Sequence, residues 1–435
     1  MKSLAVAYIF LLVFLFMEMK VFAQGTSGIS TPVSGASGIA QGNAFVARAD
    51  DASAVHFNPA GLTQLQERQV SLGAAFLLPL VEYQDDGLSE DMKEKISPVP
   101  NFYFASPIID NKLAAGLGVT APYGLQSVWD DDGFARFVAA RSELSVISVT
   151  PTLAFKPLSF LSVGVGMDYY YADLEQGKHI NVSLINSALT GFPPDPSTPE
   201  GVQDSSVHGD AFGYNAGMLI NITPRHSVGI LFRSKADVNF EGKLRISNLS
   251  GATAFLFGSD RFTTQTEFTL TLPEMLSVGY AYRHGDLWSI EMDVQWTNWS
   301  RIGVIKSSFE PTNPLLEANK ENVRKWNNTI SIAIGGEYKL NEAFKVRGGY
   351  FFYETPVPGE TFEPAVPEGS QHGVFTGFGY GWGKKMNKGI DFAYGVIVGE
   401  DRNVNNSIGD DVGGPIDGNY DTVTHMVAVN FNYKF

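Results

Sequence analysis

The chain of 435 residues contains no cysteine. A disulfide framework and an N-terminal lipid-modified cysteine are therefore both excluded. Positive charge is also scarce, because 31 lysines and arginines stand against 46 aspartates and glutamates, which gives a net charge of -15. This balance argues against nucleic acid as a partner, since phosphate binding needs a basic surface.

Long hydrophobic runs are missing after the first residues. The start of the chain, with Lys2, an apolar segment over residues 4–17 and a small-residue cleavage site at residues 21–23, predicts a secretory signal sequence over residues 1–23. No later segment offers the roughly 20 apolar residues that a transmembrane helix needs. The sequence therefore predicts an exported protein without a helical membrane anchor.

Glycine and aromatic residues are abundant, with 45 glycines and 12% aromatic side chains. Soluble proteins contain about 7% glycine. In an exported chain this composition is typical of an outer-membrane β-barrel, and a large secreted β-sandwich or propeller is the alternative. The periodicity of the sequence decides between them.

Segments of about ten residues alternate in polarity from residue 70 onward, as transmembrane β-strands do. In the clearest segment, residues 288–297, apolar residues with a tryptophan at each end occupy one face, and polar residues that include Glu291 and Asp293 occupy the other. Aromatic residues at strand ends are typical of the two membrane interfaces. The pattern predicts lipid outside and a polar lumen inside.

The links between these segments alternate in length. Short links are predicted at residues 108–111, 157–159, 223–226, 284–286, 341–343 and 384–388, and long ones at 84–98, 123–142, 174–210, 241–262, 300–327, 354–372 and 399–423. Short periplasmic turns and long extracellular loops are the habit of outer-membrane barrels, and the count gives about 14 antiparallel strands over residues 70–435. Residues 263–271, before Pro273, are a loop or a strand extension in this count.

The chain ends in an alternating segment with Val427, Val429, Phe431, Tyr433 and Phe435 on one face. A terminal aromatic residue on the last strand resembles the signal by which barrel proteins are recognised for outer-membrane assembly. The sequence therefore predicts an outer-membrane location. It also predicts that the barrel assembly machinery binds the chain through Phe435. A closed barrel hides its sheet edges, so a monomer is expected.

No enzyme, nucleotide or cofactor motif is present, so no cofactor is expected and transport would be passive. A Ser-His pair assembled from distant strands, as in an outer-membrane esterase, is an alternative that spacing does not exclude. The acidic segment 400–421, with Asp401, Asp410, Asp411 and Asp417, is a second alternative, as a cation site. Its spacing fits no calcium template, which favours a solvated loop and no metal.

Two of the predicted long loops contain apolar stretches. Their apolar residues include Leu184, Ile185 and Leu189 in the first loop, and Phe255, Leu256 and Phe257 in the second. Each loop either folds into a cap that buries its own apolar face, or the two together form a groove for a hydrophobic molecule. A cap packed below and open above would satisfy both interpretations.

Residues 24–69 precede the first predicted strand and are rich in glycine, alanine and serine. Small residues let backbones pack closely, and the Asn-Pro step of HFNPAG, residues 56–61, fixes the local geometry and removes one N–H donor. A hatch, or plug, inside the barrel fits this composition better than a free tail.

Several stretches resemble the FadL family of outer-membrane transporters for long-chain fatty acids and other hydrophobic compounds. They are RADDASAVHFNPAGL (48–62), APYGLQSVWDDDGFARF (121–137), LPEMLSVGYAYR (272–283), DVQWTNWS (293–300) and RGGYFFYETPVP (347–358). The resemblance implies a fourteen-stranded barrel filled by a hatch. It also implies lateral substrate exit into the membrane at an inward kink of the third strand, and a first binding groove between the third and fourth extracellular loops.

Carried over to this chain, the resemblance assigns a hatch motif beside the kink and a kink at the end of the third predicted strand. The motif is Asn58, Pro59 and Ala60, and the kink is Ala121, Pro122, Tyr123 and Gly124. Arg347 is predicted to face the lumen, either for a carboxylate headgroup or paired with Glu291 or Glu337. Fatty acids are the expected substrates, with aromatic hydrocarbon uptake or a structural, adhesive barrel as alternatives.

The hatch motif generates a prediction. Replacing Asn58 or Pro59 should impair uptake of hydrophobic compounds more than barrel folding, because the strands begin only after the hatch. Uptake by cells and folding of the purified barrel measure the two effects. If Asn58→Ala left uptake intact, the motif would serve packing alone.

Overall fold

The structure, a computed structural model, describes Gly25, residues 27–32 and residues 34–435. The predicted signal sequence lies outside the described residues. Fourteen antiparallel strands form a closed barrel, since β1 pairs with both β2 and the last strand. They are β1 (Gln69–Asp85), β2 (Ser97–Ile109), β3 (Leu113–Val128), β4 (Arg141–Leu158), β5 (Leu161–Ile180), β6 (Gly201–Asn221), β7 (His226–Arg233 and Ala236–Ser247), β8 (Phe262–Leu272 and Met275–His284), β9 (Trp288–Thr297), β10 (Thr329–Lys339), β11 (Phe344–Tyr353), β12 (Gln371–Trp382), β13 (Lys388–Gly399) and β14 (Gly418–Lys434).

The alternation that predicts strands is the pattern by which the barrel separates lipid from lumen. On β9, Ile290 and Met292 point outward and are exposed, whereas Glu291 and Asp293 are buried inside. On β14, Phe431 and Tyr433 lie on the outer face and are exposed. This arrangement confirms the predicted fold class. Among the described residues, no helix has the length and hydropathy needed to cross a membrane.

The connections are short at one end of the barrel and long at the other, as predicted. The long loops contain helices α3 (Arg136–Ala139), α4 (Val182–Thr190), α5 (Gly251–Phe257) and α6 (Pro314–Ala318), short strands at Leu88–Asp91, Val304–Lys306, Ser308–Glu310, Glu321–Val323 and Arg402–Val404, and 3-10 turns at Trp299–Arg301, Gly359–Thr361 and Asp410–Val412. Another 3-10 turn, Lys384–Met386, lies at the short-turn end.

Residues 263–271 belong to a strand extension, which was one of the two sequence interpretations. They form the upper segment of β8 and pair with the upper segment of β7. Pro273 and Glu274 interrupt β8 because proline has no N–H to donate, and the break lies opposite the interruption of β7 at Ser234 and Lys235. Most strands also extend further into the predicted long loops than the sequence indicated.

The hatch, described at residues 25, 27–32 and 34–68, lies inside the barrel and ends where β1 begins at Gln69. It contains α1 (Ala36–Ile39), α2 (Ala54–Phe57) and a 3-10 turn, Pro59–Gln64. Phe45 is fully buried in it. A side chain at Gly229 or Gly335 on the wall would overlap the carbonyl oxygen of a hatch residue, so glycine is needed at both positions for the close approach.

Candidate functional site

The barrel wall has a break between β2 and β3. Backbone pairing of these strands runs from Ile109 with Leu113 to Phe102 with Val119. Within the described chain, no backbone pair joins the two strands beyond that point, although β2 stays paired with β1 as far as Ser97. The hydroxyl of Ser97 donates a hydrogen bond to the Gln126 side chain and closes the break at the long-loop end. The unpaired stretch of β2 is about 17 Å long.

This break, called the window below, coincides with a kink in β3. Pairing of β3 with β4 shifts register between Thr120 and Tyr123, so that Ala121 and Pro122 form a bulge. The alternation of exposed and buried residues also stops, because every position from Gly118 to Ser127 is buried. The strand therefore turns inward here. The kink lies within β3, which continues to Val128, and the prediction that it ends the strand is wrong.

The first residues of the hatch supply hydrogen bonds to the kink. Thr31 donates its N–H to the Pro122 carbonyl at 3.0 Å, and Gly124 donates its N–H to the Ile29 carbonyl at 2.8 Å. Ser30 forms an antiparallel bridge with Tyr123. Residues 29–31 thus act as a short strand for the part of β3 that β2 leaves unpaired.

The Asn-Pro-Ala motif contacts the barrel wall at β5 and β6. The Asn58 amide donates to the carbonyls of Val46 in the hatch and Met218 on β6, at 2.8 and 3.0 Å, and its side-chain oxygen accepts from Ala60 N–H. Pro59 fits against glycines of β5 and β6. These contacts fix the motif to β5, to β6 and to the hatch, and its packing beside the kink stays a prediction. Asn58 joins hatch to wall, and its loss should cost about 1–3 kcal/mol.

Two predicted lumenal acids hold the hatch. The Asp293 carboxylate on β9 accepts the N–H groups of Phe45 and Val46 at 2.8 and 3.0 Å, and Glu291 accepts the N–H of Ala47. All three N–H groups belong to one turn of hatch backbone. Charged hydrogen bonds of this kind are stronger than neutral ones. The role of Glu291 is thus to anchor backbone.

Arg347 faces the lumen, as predicted, and its charge is neutralised there. Its guanidinium contacts Glu337 at 2.8 Å and Asp391 at 2.5 Å. The pairing with Glu337 was one of the sequence alternatives, whereas Glu291 bonds to the hatch instead. Because Arg347 already has two carboxylate partners, it is poorly suited to receive a third from a ligand.

Above the hatch, the lumen is filled by apolar side chains from the wall and the long loops. Large members of this buried cluster include Trp129, Tyr170, Phe240, Trp299, Phe362 and Tyr420. Tyr123 of the kink belongs to the same cluster. A water-filled pore would have a polar lining at this level. The interior between the loops and the window is therefore apolar.

The two apolar loops pack together at the long-loop end. Asn181 caps α4 by accepting the N–H of Leu184, and Gly191, with φ of 76°, ends the helix. Leu184, Ile185 and Phe257 line a cavity of about 240 Å³ beneath α4 and α5. The structure thus brings both predicted loops to one cavity. Other loops complete it with Phe137, Leu315, Leu316 and Val412.

Three of the predicted groove residues lie outside this cavity. Phe255 is 89% exposed and Leu189 is 47% exposed. Leu256 is half-buried and does not line the cavity either. The reason is helical geometry, because residues adjacent in sequence on α4 or α5 point in different directions.

A single lysine marks the boundary between this apolar cavity and a polar one. Lys178, near the end of β5, lines both the cavity of about 240 Å³ and a neighbouring cavity of about 380 Å³ that also contains Arg141 and Arg324. The two arginines have carboxylate partners. For Lys178, no carboxylate of the described residues lies within ion-pair distance.

The comparisons with known proteins agree with this geometry. A family model described as outer membrane protein transport protein (OMPP1/FadL/TodX) matches residues 16–435. The chain belongs to this family. It is an outer-membrane β-barrel transport protein, as the sequence predicts.

Individual members of the family are distant in sequence and close in fold. The long-chain fatty acid transport protein of Escherichia coli is 25% identical over 368 residues, with 80% of this chain and 81% of that protein covered. A Pseudomonas aeruginosa FadL homologue superposes with a TM-score of 0.84 at 20% identity, covering 94% and 100%. The Pseudomonas putida toluene transporter TodX gives 0.70 at 16% identity, covering 96% and 100%.

The predicted cation alternative gains no support from the long loop that contains it. Asp417 accepts N–H groups of Asn406 and Ser407 and so serves the loop's own backbone. In the part of the chain that the structure describes, no three His, Asp or Glu side chains are grouped so that they could hold a metal ion.

The sequence indicates the position of some further site residues but does not identify their partners. The alternation of the sequence places Asp293 on the lumenal face. A buried acid there needs a partner, but the sequence does not show which group that partner is. Lys178 lies on a strand among polar neighbours, and periodicity alone does not separate it from solvated residues. The pairing of residues 29–31 with the kink joins segments about 90 residues apart and has no local signal.

The anchoring of the hatch by Asp293 can be tested by substitution. Asp293→Leu removes the acceptor of two buried N–H groups, and each unpaired group costs about 1–3 kcal/mol. Hydrogen–deuterium exchange at Phe45 and Val46 should therefore become at least about tenfold faster, with the barrel still closed. Glu241→Leu, at an exposed carboxylate of β7, is the control. Unchanged exchange at both hatch amides would contradict the anchoring role.

Proposed function

We propose that this protein is a passive outer-membrane channel that takes hydrophobic molecules from outside the cell and releases them sideways into the membrane through the window. The observation that carries this proposal is the apolar cluster that extends from the long loops to the kink, where β2 and β3 are unpaired. A polar solute would lose its hydration along this path. A hydrophobic solute also loses its hydration there, but for apolar surface this loss is favourable.

Sideways release follows from the energetics of the cargo. An alkyl chain gains about 0.8 kcal/mol per CH₂ when it is buried in lipid, so a ten-carbon chain prefers the membrane to the aqueous periplasm by about 8 kcal/mol. The hatch fills the lumen below the apolar cluster and blocks a straight path. The remaining exit is the wall, and the window is a break in the backbone pairing of that wall.

In the structure the window is covered from inside by residues 29–31. Their hydrogen bonds to Pro122 and Gly124 satisfy backbone groups that would otherwise be unpaired in an apolar setting. Passage therefore requires this short strand to move away from the kink. The apolar cargo would take its place beside Tyr123, and uptake would depend on that exchange.

Among hydrophobic substrates, Lys178 favours fatty acids. Its side chain lines the apolar cavity below α4 and α5. Glu363 acts on its charge from a distance, and among the described residues no carboxylate lies within ion-pair distance of it. An alkyl chain fits the apolar lining and a carboxylate suits the lysine, whereas a neutral hydrocarbon has no use for a cation. The relative from Escherichia coli is named a long-chain fatty acid transport protein.

Uptake of neutral aromatic hydrocarbons is the second candidate. The lining by Leu184, Ile185 and Phe257 suits aromatic rings as well as alkyl chains, and the structural neighbour from Pseudomonas putida is named a toluene transporter. Both substrate classes would follow the same path, but only a fatty acid has a charged headgroup. Lys178 therefore distinguishes the two candidates, because only a carboxylate would pair with it.

Substitution of Lys178 tests the choice. Lys178→Met keeps the side-chain length and removes the charge, so the concentration of laurate that half-saturates uptake should rise about fivefold to tenfold, as expected for loss of one partly buried ion pair. Toluene uptake should not change. The measurement is uptake of radiolabelled laurate and toluene by cells that express the chain in place of their own transporter.

Lys384→Met, at an exposed lysine of a short turn, is the matched control and should leave both uptakes unchanged. If Lys178→Met left laurate uptake as it was while toluene entered freely, the fatty-acid assignment would be wrong and the aromatic candidate would replace it. If wild-type protein admitted neither compound but admitted small sugars, the channel proposal itself would fail.

A further inference from the structure

The short helices at the long-loop end begin in two different ways. At α4, the Asn181 side chain accepts the backbone N–H of Leu184. At α6, the Asn313 side chain accepts the backbone N–H of Leu316. Each of these helices therefore has an N-cap from its own loop. At α5 the corresponding residue is Ser250, and within the described chain its side chain makes no capping hydrogen bond.

The cap of α5 comes from α4 instead. The side-chain oxygen of Asn186 on α4 accepts the backbone N–H of Thr253 at 2.7 Å and the Thr253 hydroxyl at 2.8 Å. The Asn186 amide group donates to the Ser250 carbonyl at 3.2 Å. Thr253 is the third residue of α5, and an N-cap oxygen normally accepts the N–H of the second or third residue. Asn186 thus caps a helix that belongs to a different loop.

Gly251, the first residue of α5, permits this contact. Its φ is 61°, in the left-handed region that favours glycine. A Cβ at this position would lie 2.7 Å from the Asn186 Nδ2 atom and would displace the amide group. The close approach of Asn186 to α5 therefore requires glycine here.

A helix as short as α5 depends on contacts of this kind. It has seven residues, whereas isolated helices shorter than about 12 residues are marginal in water. Thr253 and Phe257 line the apolar cavity and lie four residues apart, on one face of the helix. Phe255 is exposed. The conformation of α5 therefore rests on packing of one face and on the cap from Asn186.

The cap acts on the cavity through Phe257. The Phe257 ring lines the cavity and packs edge-on against the Phe262 ring of β8, at 5.2 Å between centroids. This placement requires α5 to be helical, because Phe257 is the last residue of the helix. An uncapped α5 would unravel more often, and the ring would then leave the lining.

We propose that Asn186 is a positioning residue of the apolar cavity, which joins the two helices above the cavity by capping α5 from α4. The inference rests on the proposed function and deepens it, since it assigns the affinity for the hydrophobic part of the cargo to the order of α5. Lys178 would select a charged headgroup, whereas Asn186 would set the affinity for any apolar molecule. Separation of α4 from α5 would break the cap and remove part of the apolar lining.

The first test measures the cap in the purified protein, without transport. In Asn186→Ala the Thr253 N–H loses its acceptor, so its hydrogen exchange should become about tenfold faster. Asn186→Asp keeps the side-chain oxygen, and aspartate caps helices as well as asparagine does, so exchange should stay close to that of the wild type. Asn405→Ala, at an exposed asparagine of another long loop, is the matched control. Unchanged exchange in Asn186→Ala overturns the cap.

The second test measures uptake of laurate and toluene by expressing cells. For each compound that the wild-type protein takes up, Asn186→Ala should raise the half-saturating concentration about fivefold, as expected for loss of one N-cap, and leave the maximal rate unchanged. Asn186→Asp should restore the value for toluene. It should restore the value for laurate only in part, because the new carboxylate repels that of laurate.

Gly251→Ala approaches the same contact from α5 and should reproduce the effect of Asn186→Ala, because its Cβ displaces the Asn186 amide. Faster exchange at Thr253 with unchanged half-saturating concentrations overturns the positioning role. An effect on laurate alone, when both compounds are taken up, overturns it as well, since the cap acts on the apolar lining. If the wild-type protein took up neither compound, the proposed function would fail, and exchange at Thr253 would still decide whether Asn186 caps α5.

Discussion

A barrel wall in a membrane depends on one constraint, which is that every backbone N–H and C=O group must find a partner within the protein. Most seams between neighbouring strands meet it with backbone pairs. Pairing of β6 with β7 is interrupted between the pairs Asp210–Asn239 and Asn215–Arg233, and pairing of β2 with β3 stops at Phe102 and Val119. At the kink of β3, backbone groups of the hatch form the hydrogen bonds that β2 does not form. Closure of the wall therefore depends on a segment that is not part of the wall.

This dependence explains how the hatch is held. Its middle is fixed by acids of β9, by the Asn58 amide and by Asn430 of β14, which accepts the N–H of Ala36. Its first described residues hydrogen-bond to the kink, and Ser27 also donates to the Glu354 carbonyl. In the proposed function, the fixed centre keeps the lumen blocked while the leading strand separates from the kink.

The fold was predictable from the sequence to a large extent. Alternation along β9 and the lengths of the connections identify the strands because a membrane imposes a period of two on each of them. The site was predictable in part. Leu184 and Phe257 line one cavity, whereas Phe255 does not line it. Which side of a short loop helix faces the cavity depends on tertiary packing, and the sequence pattern does not show that packing. The hatch residues that pair with the kink and with Asp293 are far from them in sequence, so local patterns do not predict these contacts. The contact of Asn58 with β6 is unpredictable for the same reason.

In the proposed path, cargo leaves through the window after residues 29–31 separate from the kink. Because the chain has no cysteine, a pair introduced at Ser30→Cys and Tyr123→Cys would be the sole candidate disulfide. These residues are bridge partners. Antiparallel partners lie about 4.5–5.5 Å apart at Cα. That separation is within the range of about 4.4–6.8 Å that a disulfide spans. A second pair, Gln69→Cys and Lys434→Cys, joins register partners of β1 and β14 at the short-turn end of the wall and is the control.

The decisive measurement is laurate uptake by cells with each disulfide oxidised and then reduced. We expect oxidation of the Ser30–Tyr123 pair to stop uptake and reduction to restore it, and we expect the control pair to have no effect in either state. Uptake that continued unchanged with the Ser30–Tyr123 pair oxidised would contradict lateral exit at the kink.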